Sequence, residues 1–142
     1  EIVHRYGGVY IDTDFECLKP FDIFHHICDF YAGLAYMDKQ GIFNGLFGAK
    51  PGHPILRAAI DGIKRPINAK DGFFDILSRT GPYYFSTHYN ALLDSGDFIN
   101  IAFPMTFFYP WPCNKRHENL PHQIARWIRD ETFAIHHWHV SW

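Results

Sequence analysis

The sequence predicts a single α/β domain. Short apolar runs alternate along the chain with segments whose apolar residues recur at helical spacing, which is the pattern of strands and helices that share one core. Apolar residues make up 47% and aromatic residues 18% of the 142 residues. This composition supplies an ample core and excludes a disordered tail. The length fits one domain, 1–142.

The predicted strands are apolar runs bounded by glycine or proline. Gly7 and Gly8 lead into the first run, which is typical of a buried parallel strand. The third run is interrupted by Asn44 and two glycines, and the fourth ends at Pro104, which cannot donate to a sheet ladder. In chain order, the predicted strands span 9–11, 30–36, 42–49, 98–103 and 132–138.

The predicted helices begin at prolines. Pro54 follows a break in the chain and fits the first turn of a helix, after which apolar residues recur at helical spacing. Thr80-Gly81-Pro82 is a second break of the same kind. In chain order, the predicted helical segments are the last turn of a helix at 1–5, a short amphipathic piece after Pro20, and helices at 54–63, 82–93 and 121–130. An aromatic, proline-rich loop is expected at 107–112.

Charge and cysteine content exclude several classes of protein. The formal net charge of −2 argues against a nucleic-acid protein that works through a basic face. The three cysteines, Cys17, Cys28 and Cys113, have neither a metal-binding spacing nor a disulfide framework, so we expect small buried apolar residues there. No apolar run is long enough to span a membrane, and the glycine loops that bind nucleotide phosphates are missing.

Two carboxylates follow the first predicted strand directly. We expect Asp12 and Asp14 at or just past the carboxyl end of that strand, where ligands bind in open α/β sheets. Paired carboxylates in such a place suit Mg²⁺ or Mn²⁺, and a diphosphate can supply further ligands. The alternative is an acidic turn in which Asp14 caps the segment that follows.

A second polar cluster lies near the other end of the sequence, in the run His136-His137-Trp138-His139-Val140-Ser141-Trp142. If this run is a strand, His136 and Trp138 share one face, and His137 and His139 share the other. One imidazole added to two carboxylates completes a set of ligands for Mn²⁺. In the alternative, His137 and His139 hold Zn²⁺ with a distant third ligand.

Together these segments resemble a family of sugar transferases that carry an Asp-x-Asp sugar-binding region. The family includes yeast-type α-mannosyltransferases, α-galactosyltransferases of glycolipid synthesis, and bacterial capsule and lipopolysaccharide enzymes; the glucosylating clostridial toxins share its core. The similarity spans essentially the whole chain. It is carried by Tyr6-Gly-Gly-Val-Tyr-Ile-Asp-Thr-Asp14, Cys17-Leu-Lys-Pro20, Asn44, Pro51-Gly-His-Pro54, Thr80-Gly-Pro82, Phe108-Tyr-Pro110 and the terminal run from His136 to Trp142.

The resemblance implies a fold and a reaction. The fold is the nucleotide-diphospho-sugar transferase (GT-A-like) type with a mixed central sheet. The reaction is retaining transfer from a UDP- or GDP-sugar to a glycan, lipid or protein acceptor, with Mn²⁺ or Mg²⁺ as cofactor. Such a protein is cytoplasmic or membrane-associated in a bacterium and lies in the Golgi lumen in a eukaryote.

Relatives usually carry base-binding strands and an Asp-x-x-Arg before the glycine pair, and neither is seen in this sequence. We therefore expect that 1–142 is the C-terminal part of a catalytic domain whose upstream nucleotide-binding portion is missing. On this expectation the N-terminal strands of the sheet are missing too, and the piece alone binds nucleotide poorly.

The resemblance also implies roles for individual residues. Asp14 and His136 match metal ligands, with His137 as the second choice because the doublet leaves the register open. Asp12 matches the aspartate that contacts ribose and donor sugar, with an indirect role toward the metal. Asn44 matches a polar residue beside the donor sugar and is grouped with Asp12 and Asp14 as catalytic, although a turn or buried amide is the simpler alternative. The other matches at the donor site are Tyr10, Gly81, Ser141 and Trp142.

Several of these assignments have alternatives. Gly81 matches a backbone loop near the acceptor, but a plain helix start also explains it. Ser141 and Trp142 match residues that close over the diphosphate. For the whole chain, two other functions stay open. One is a catalytically inert relative that binds a sugar or a partner, and the other is a zinc-dependent hydrolase built on the cluster from His136 to His139.

Overall fold

The computed structural model describes residues 1–36, 40–63, 72–94, 96–118 and 120–139. Within these ranges no helix is both long and apolar enough to cross a bilayer. The elements are α1 (Ile2–Tyr6), β1 (Gly8–Ile11), β2 (Phe15–Cys17), α2 (Asp22–Ile27), β3 (Phe30–Tyr36), β4 (Gln40–Ala49), α3 (Pro54–Gly62), α4 (Phe73–Arg79), α5 (Pro82–Leu92), β5 (Asn100–Phe103), α6 (Met105–Phe108), a 3₁₀ turn (Cys113–Lys115), α7 (Pro121–Ala125) and β6 (Ala134–His136).

The main sheet has four strands in the order β1-β4-β3-β5. β3 and β5 are parallel, whereas β1 and β3 are each antiparallel to β4. The sheet is therefore mixed, as predicted, and this α/β arrangement is compatible with a GT-A-like fold. The predicted strand 30–36 is β3, and the predicted helix starts at Pro54 and Pro82 are those of α3 and α5.

A hydrophobic core covers each face of this sheet. Side chains of the central strand β3 alternate between the two cores, because successive residues of a strand point to opposite faces. Phe30 and Ala32 pack with α3 and α5, whereas Tyr31 packs on the other face. There Phe24 of α2 contacts the rings of Tyr31 and of Phe108 in α6. The second core also holds the residues that support the site described below.

A separate two-stranded sheet joins the two halves of the chain. β2 pairs antiparallel with β6, so that Phe15 lies opposite His136. β6 is in turn tied to α6, because the Thr132 hydroxyl donates a hydrogen bond of 2.8 Å to the carbonyl of Thr106 and the Phe133 N–H donates to the carbonyl of Phe107 at 2.8 Å. These bonds hold the C-terminal strand against the core of the main sheet.

The strand after the glycine pair differs from the prediction. β1 is antiparallel to its neighbour, with Gly8 opposite Ala49, and it lies at the edge of the four-stranded sheet. Tyr10 in its middle is 44% exposed. The prediction of a buried parallel strand is therefore wrong for the part of the chain that the structure describes. A short apolar run does not distinguish an interior parallel strand from an antiparallel edge strand.

Other predictions need smaller corrections. The last strand is Ala134–His136 rather than 132–138, and the helix before it is Pro121–Ala125 rather than 121–130. The predicted loop at 107–112 contains the end of α6, and both β2 and α4 are additions. Cys28 is buried as expected, but Cys17 is exposed and Cys113 is half-buried. In the last strand and the helix before it, the apolar pattern continues past the residues that form the backbone hydrogen bonds, so the predicted elements are too long.

A buried histidine begins helix α3. His53 is fully buried, and its Nδ1 accepts a hydrogen bond of 3.3 Å from the Ile55 N–H at the first turn. Its ring lies against Phe30 and Phe98, at centroid distances of 5.2 and 4.9 Å. Burial lowers the pKa of the His53 imidazole below its ordinary value, because the charged ring would lose its hydration. Asn100 and Asp29 oppose this shift in part.

We predict that His53 makes the fold sensitive to acid. Its pKa is lower in the folded protein than in the unfolded chain, so below about pH 6.5 the unfolded chain binds more protons than the folded one. The stabilisation is complete above that pH and is lost as the pH falls toward the folded pKa, by up to about 1.4 kcal/mol per pH unit. His53→Asn keeps a helix-capping side chain and should flatten this dependence.

The measurement is the free energy of unfolding by urea between pH 7.5 and pH 5, with a chelator present in every sample. His26→Asn, at an exposed position of α2, is the control and should keep the wild-type slope. A His53→Asn protein with the same slope as the wild type would contradict the prediction.

Candidate metal centre

The pairing of β2 with β6 brings three potential metal ligands together. Asp12 follows β1 directly, and its N–H donates a hydrogen bond of 2.8 Å to the carbonyl of Gly45 in β4. Asp14 lies in the turn between β1 and β2, and its carbonyl accepts from the His137 N–H at 2.9 Å. His136 is the last residue of β6. The backbone of the two sheets thus fixes the Cα positions of all three residues.

Each carboxylate has one oxygen in a hydrogen bond and turns the other toward His136. Asp12 Oδ1 accepts a bond of 2.7 Å from the Tyr10 hydroxyl, and Asp12 Oδ2 lies 3.9 Å from His136 Nε2. Asp14 Oδ2 accepts a bond of 2.9 Å from the His139 N–H, and Asp14 Oδ1 lies 3.2 Å from the same Nε2. The three facing atoms are two oxygens and one nitrogen.

These atoms fit a divalent cation. One ligand atom from each of Asp12, Asp14 and His136 lies within 4.8 Å of the other two. Adjacent ligands of an octahedral ion with bonds of roughly 2.1 Å lie about 3 Å apart, so little movement is needed. Two carboxylates and an imidazole are ligands that suit Mn²⁺, and the carboxylates also suit Mg²⁺. Among the described residues this is the one group of three such side chains.

The three side chains differ in their exposure to solvent. The side chain of Asp12 is 39% exposed, whereas those of Asp14 and His136 are 15% and 10% exposed. Aromatic rings hold the imidazole of His136 in place, since Phe15 and Trp138 lie at centroid distances of 4.6 and 4.3 Å from it. The cluster is therefore open to solvent on the side of Asp12 and closed on the side of His136.

The structure separates the two histidines of the doublet. His136 faces the carboxylates, whereas the Nε2 of His137 lies 3.1 Å from Glu16 Oε2, away from them. The ring of His137 also lies near that of His139, with centroids 5.8 Å apart. Within the described ranges His137 and His139 are not part of a group of three potential ligands. The geometry thus favours His136 over His137 and gives no support to the zinc site.

Tyr10 supports the site from its exposed side. Its hydroxyl donates to Asp12, and its ring stacks on Phe47 with centroids 5.3 Å apart. The hydrogen bond to Asp12 is the main reason that the pKa of Tyr10 rises to about 12, with burial and the charges of Asp12 and Asp14 adding to it. The phenol therefore keeps its proton at neutral pH and remains a donor to the carboxylate.

The other predicted site residues lie apart from these contacts. The Asn44 amide donates a bond of 3.5 Å to the carbonyl of Thr80, which places Asn44 beside Gly81, the residue that caps the start of α5. Asn44 also precedes Gly45, the backbone partner of Asp12. Ser141 and Trp142 lie outside the described residues.

Sequence reasoning missed one side chain of the site, Tyr109. It is fully buried, and its ring lies 5.6 Å from that of His136. Its position within Phe108-Tyr109-Pro110 was a signal of resemblance, but neither spacing nor periodicity relates it to Asp12. Only the tertiary structure brings α6 under the ends of β1 and β6.

Comparison with known proteins agrees with a sugar-transferring class. Inositol phosphoceramide mannosyltransferase 3 of Schizosaccharomyces pombe is 29% identical over 91 residues, which are 63% of this chain and 25% of that protein. Inositol phosphoceramide mannosyltransferase 1 of the same organism is 38% identical over 64 residues, which are 45% of this chain and 19% of that protein. The matched segments thus span a quarter or less of these relatives.

No family model matches the chain, and no solved structure matches it. The relationship to the two yeast enzymes is distant and covers only part of each chain, so it supports only a general class of enzyme. At that level, the chain is related to glycosyltransferases.

Proposed function

We propose that this protein transfers a sugar from a nucleotide-diphosphate sugar to an acceptor hydroxyl, with a divalent cation held by Asp12, Asp14 and His136. The observation that carries the proposal is the convergence of these three side chains, which face one another across two sheets. The relationship to glycosyltransferases supports the reaction class independently. The ligand set of two carboxylates and one imidazole supports Mn²⁺ or Mg²⁺ as the proposed cofactor.

The chemistry explains why such a site is useful. Breaking the bond between sugar and phosphate leaves positive charge on the ring and negative charge on the departing diphosphate. A bound divalent cation supplies Lewis-acid stabilisation of that diphosphate. Tyr10 and the His139 N–H each hold one oxygen of a carboxylate, so the other oxygens of Asp12 and Asp14 are oriented before a ligand arrives. This preorganisation lowers the cost of binding the transition state.

The donor and acceptor follow from the relatives by analogy. Their names favour mannose as the sugar and an inositol-bearing sphingolipid as the acceptor. We propose a GDP- or UDP-sugar as donor and retention of configuration, with Asn44 beside the donor sugar, Gly81 near the acceptor, and Ser141 and Trp142 over the diphosphate. A catalytically inert relative that binds a sugar or a partner is the competing proposal.

One titration experiment distinguishes these proposals. The protein is prepared at full length, because 1–142 alone is expected to bind nucleotide poorly. It is titrated with GDP and with UDP by calorimetry, in Mn²⁺ and in chelator, and is assayed for sugar transfer from GDP-mannose and from UDP-sugars. A transferase should bind one nucleoside diphosphate in a Mn²⁺-dependent manner and turn over the matching donor. Binding of sugar alone, without a metal or nucleotide effect, would favour the inert relative.

We predict that Asp14→Asn strongly reduces both Mn²⁺ binding and transfer. The change keeps the size of the side chain and removes its charge, and electrostatic stabilisation by a metal commonly supplies several kcal/mol, so transfer should fall about 100-fold or more. The control is Asp97→Asn, at an exposed position before β5. Turnover at the wild-type rate by Asp14→Asn in Mn²⁺ would show that Asp14 is a turn residue without a role in catalysis.

We also predict that the two adjacent histidines have different effects. His136→Gln should weaken Mn²⁺ binding roughly tenfold or more, because it removes a ligand that faces both carboxylates. His137→Gln should leave it unchanged, because that side chain lies against Glu16. The dissociation constant of Mn²⁺, followed by electron paramagnetic resonance, is the readout. If His137→Gln shows the larger loss, the register of β6 at the site is wrong.

A further inference from the structure

Tyr109 has a buried hydroxyl that the proposed reaction does not yet use. The residue follows α6 and is fully buried. Its ring packs directly on the backbone of β3, since a methyl group at Gly33 would lie 2.6 Å from the ring. Rings of Phe15 and Phe43 enclose it, at centroid distances of 5.4 and 5.6 Å. This packing leaves the phenol little freedom to turn.

The hydroxyl and the carboxylate of Asp12 both lie beside Gly45. A methyl group placed on Gly45 would meet Asp12 Oδ2 at 2.8 Å and the Tyr109 hydroxyl oxygen at 3.4 Å. Both groups therefore lie over the same glycine of β4, which has no side chain to separate them. Within the described ranges this hydroxyl has no hydrogen-bond partner of good geometry, although the Leu46 N–H lies near enough to influence it. Buried polar groups of this kind are costly and usually have a partner.

Charge and burial make this hydroxyl a donor. Burial is the main reason that the pKa of Tyr109 lies well above its ordinary value; the nearby charges of Asp12 and Asp14 add to the shift, and the Leu46 N–H opposes it in part. The phenol therefore carries its proton at any physiological pH. Asp12 Oδ2, which also faces His136, is a charged acceptor next to it, and hydrogen bonds to charged groups are the stronger ones.

We propose that Tyr109 is a positioning residue of the cation site, which donates its hydroxyl proton in a hydrogen bond to Asp12 and fixes the oxygen that faces His136. Asp12 is then held between two phenols, with Tyr10 on Oδ1 at the exposed side and Tyr109 below Oδ2. Residues that orient a metal ligand in this way commonly change metal affinity 10- to 100-fold when they are removed. The inference rests on the proposed function, because it assumes that the site holds a cation.

The test is the substitution Tyr109→Phe, which removes one oxygen and keeps the ring. We expect the dissociation constant of Mn²⁺, without nucleotide, to rise about tenfold or more, while the thermal midpoint in chelator stays at or above that of the wild type. Tyr31→Phe is the matched control. Tyr31 is also buried, and its hydroxyl also has no hydrogen-bond partner among the described residues. Its ring packs over Gly48 of β4, the strand that contains Gly45.

The outcomes separate the inference from the proposed function. If Asp14→Asn loses Mn²⁺ and Tyr109→Phe binds it as the wild type does, the inference fails and the metal site stands. Equal losses in Tyr109→Phe and Tyr31→Phe, or a loss that accompanies a lower thermal midpoint in chelator, indicate a packing effect and overturn it. If the wild type binds no Mn²⁺, both fail. A loss confined to Tyr109→Phe, at unchanged stability, supports it.

Discussion

The pairing of β2 with β6 is the constraint on which the site depends. It places Phe15 opposite His136 and thereby brings a residue near the end of the chain beside Asp12 and Asp14. Because side chains alternate along a strand, a shift of one residue in this register would turn His137 toward the carboxylates and His136 away. The short strand β6 is protected from such a shift by its contacts with α6, where Thr132 bonds to Thr106.

Hydrogen bonds orient the two carboxylates of the site, and aromatic packing orients its imidazole. The carboxylates are oriented by specific donors, the Tyr10 hydroxyl and the His139 N–H. The imidazole of His136 is oriented by the rings of Phe15 and Trp138. This division suits the chemistry, since a carboxylate carries charge that donors stabilise, whereas a flat ring is well fixed by edge-to-face contacts.

The sequence predicts much of the site, and the features that it does not predict depend on tertiary contacts. Asp12 and Asp14 follow a strand as expected, because a run that ends in two charges is a local signal. The burial and pairing of that strand depend on residues distant in sequence, and β1 is an antiparallel edge strand instead of a buried parallel one. Alternation along a predicted strand separates His136 from His137, but only the partner strand β2 determines which of them faces the carboxylates. Tyr109 reaches the site through packing between distant elements, which no periodicity encodes.

The three facing side chains come from the two ends of the chain, and this has a thermodynamic consequence. In the unfolded chain Asp14 and His136 are separated by a long loop, so the proposed cation has no preformed site there and should bind the folded state selectively. Binding of this kind adds RT ln(1 + [L]/Kd) to the free energy of unfolding, about 2.7 kcal/mol at a hundredfold excess over Kd. A cation bound as proposed would act as a reversible cross-link that closes the long loop, and the conformational stability of the protein would then rise and fall with the concentration of that cation.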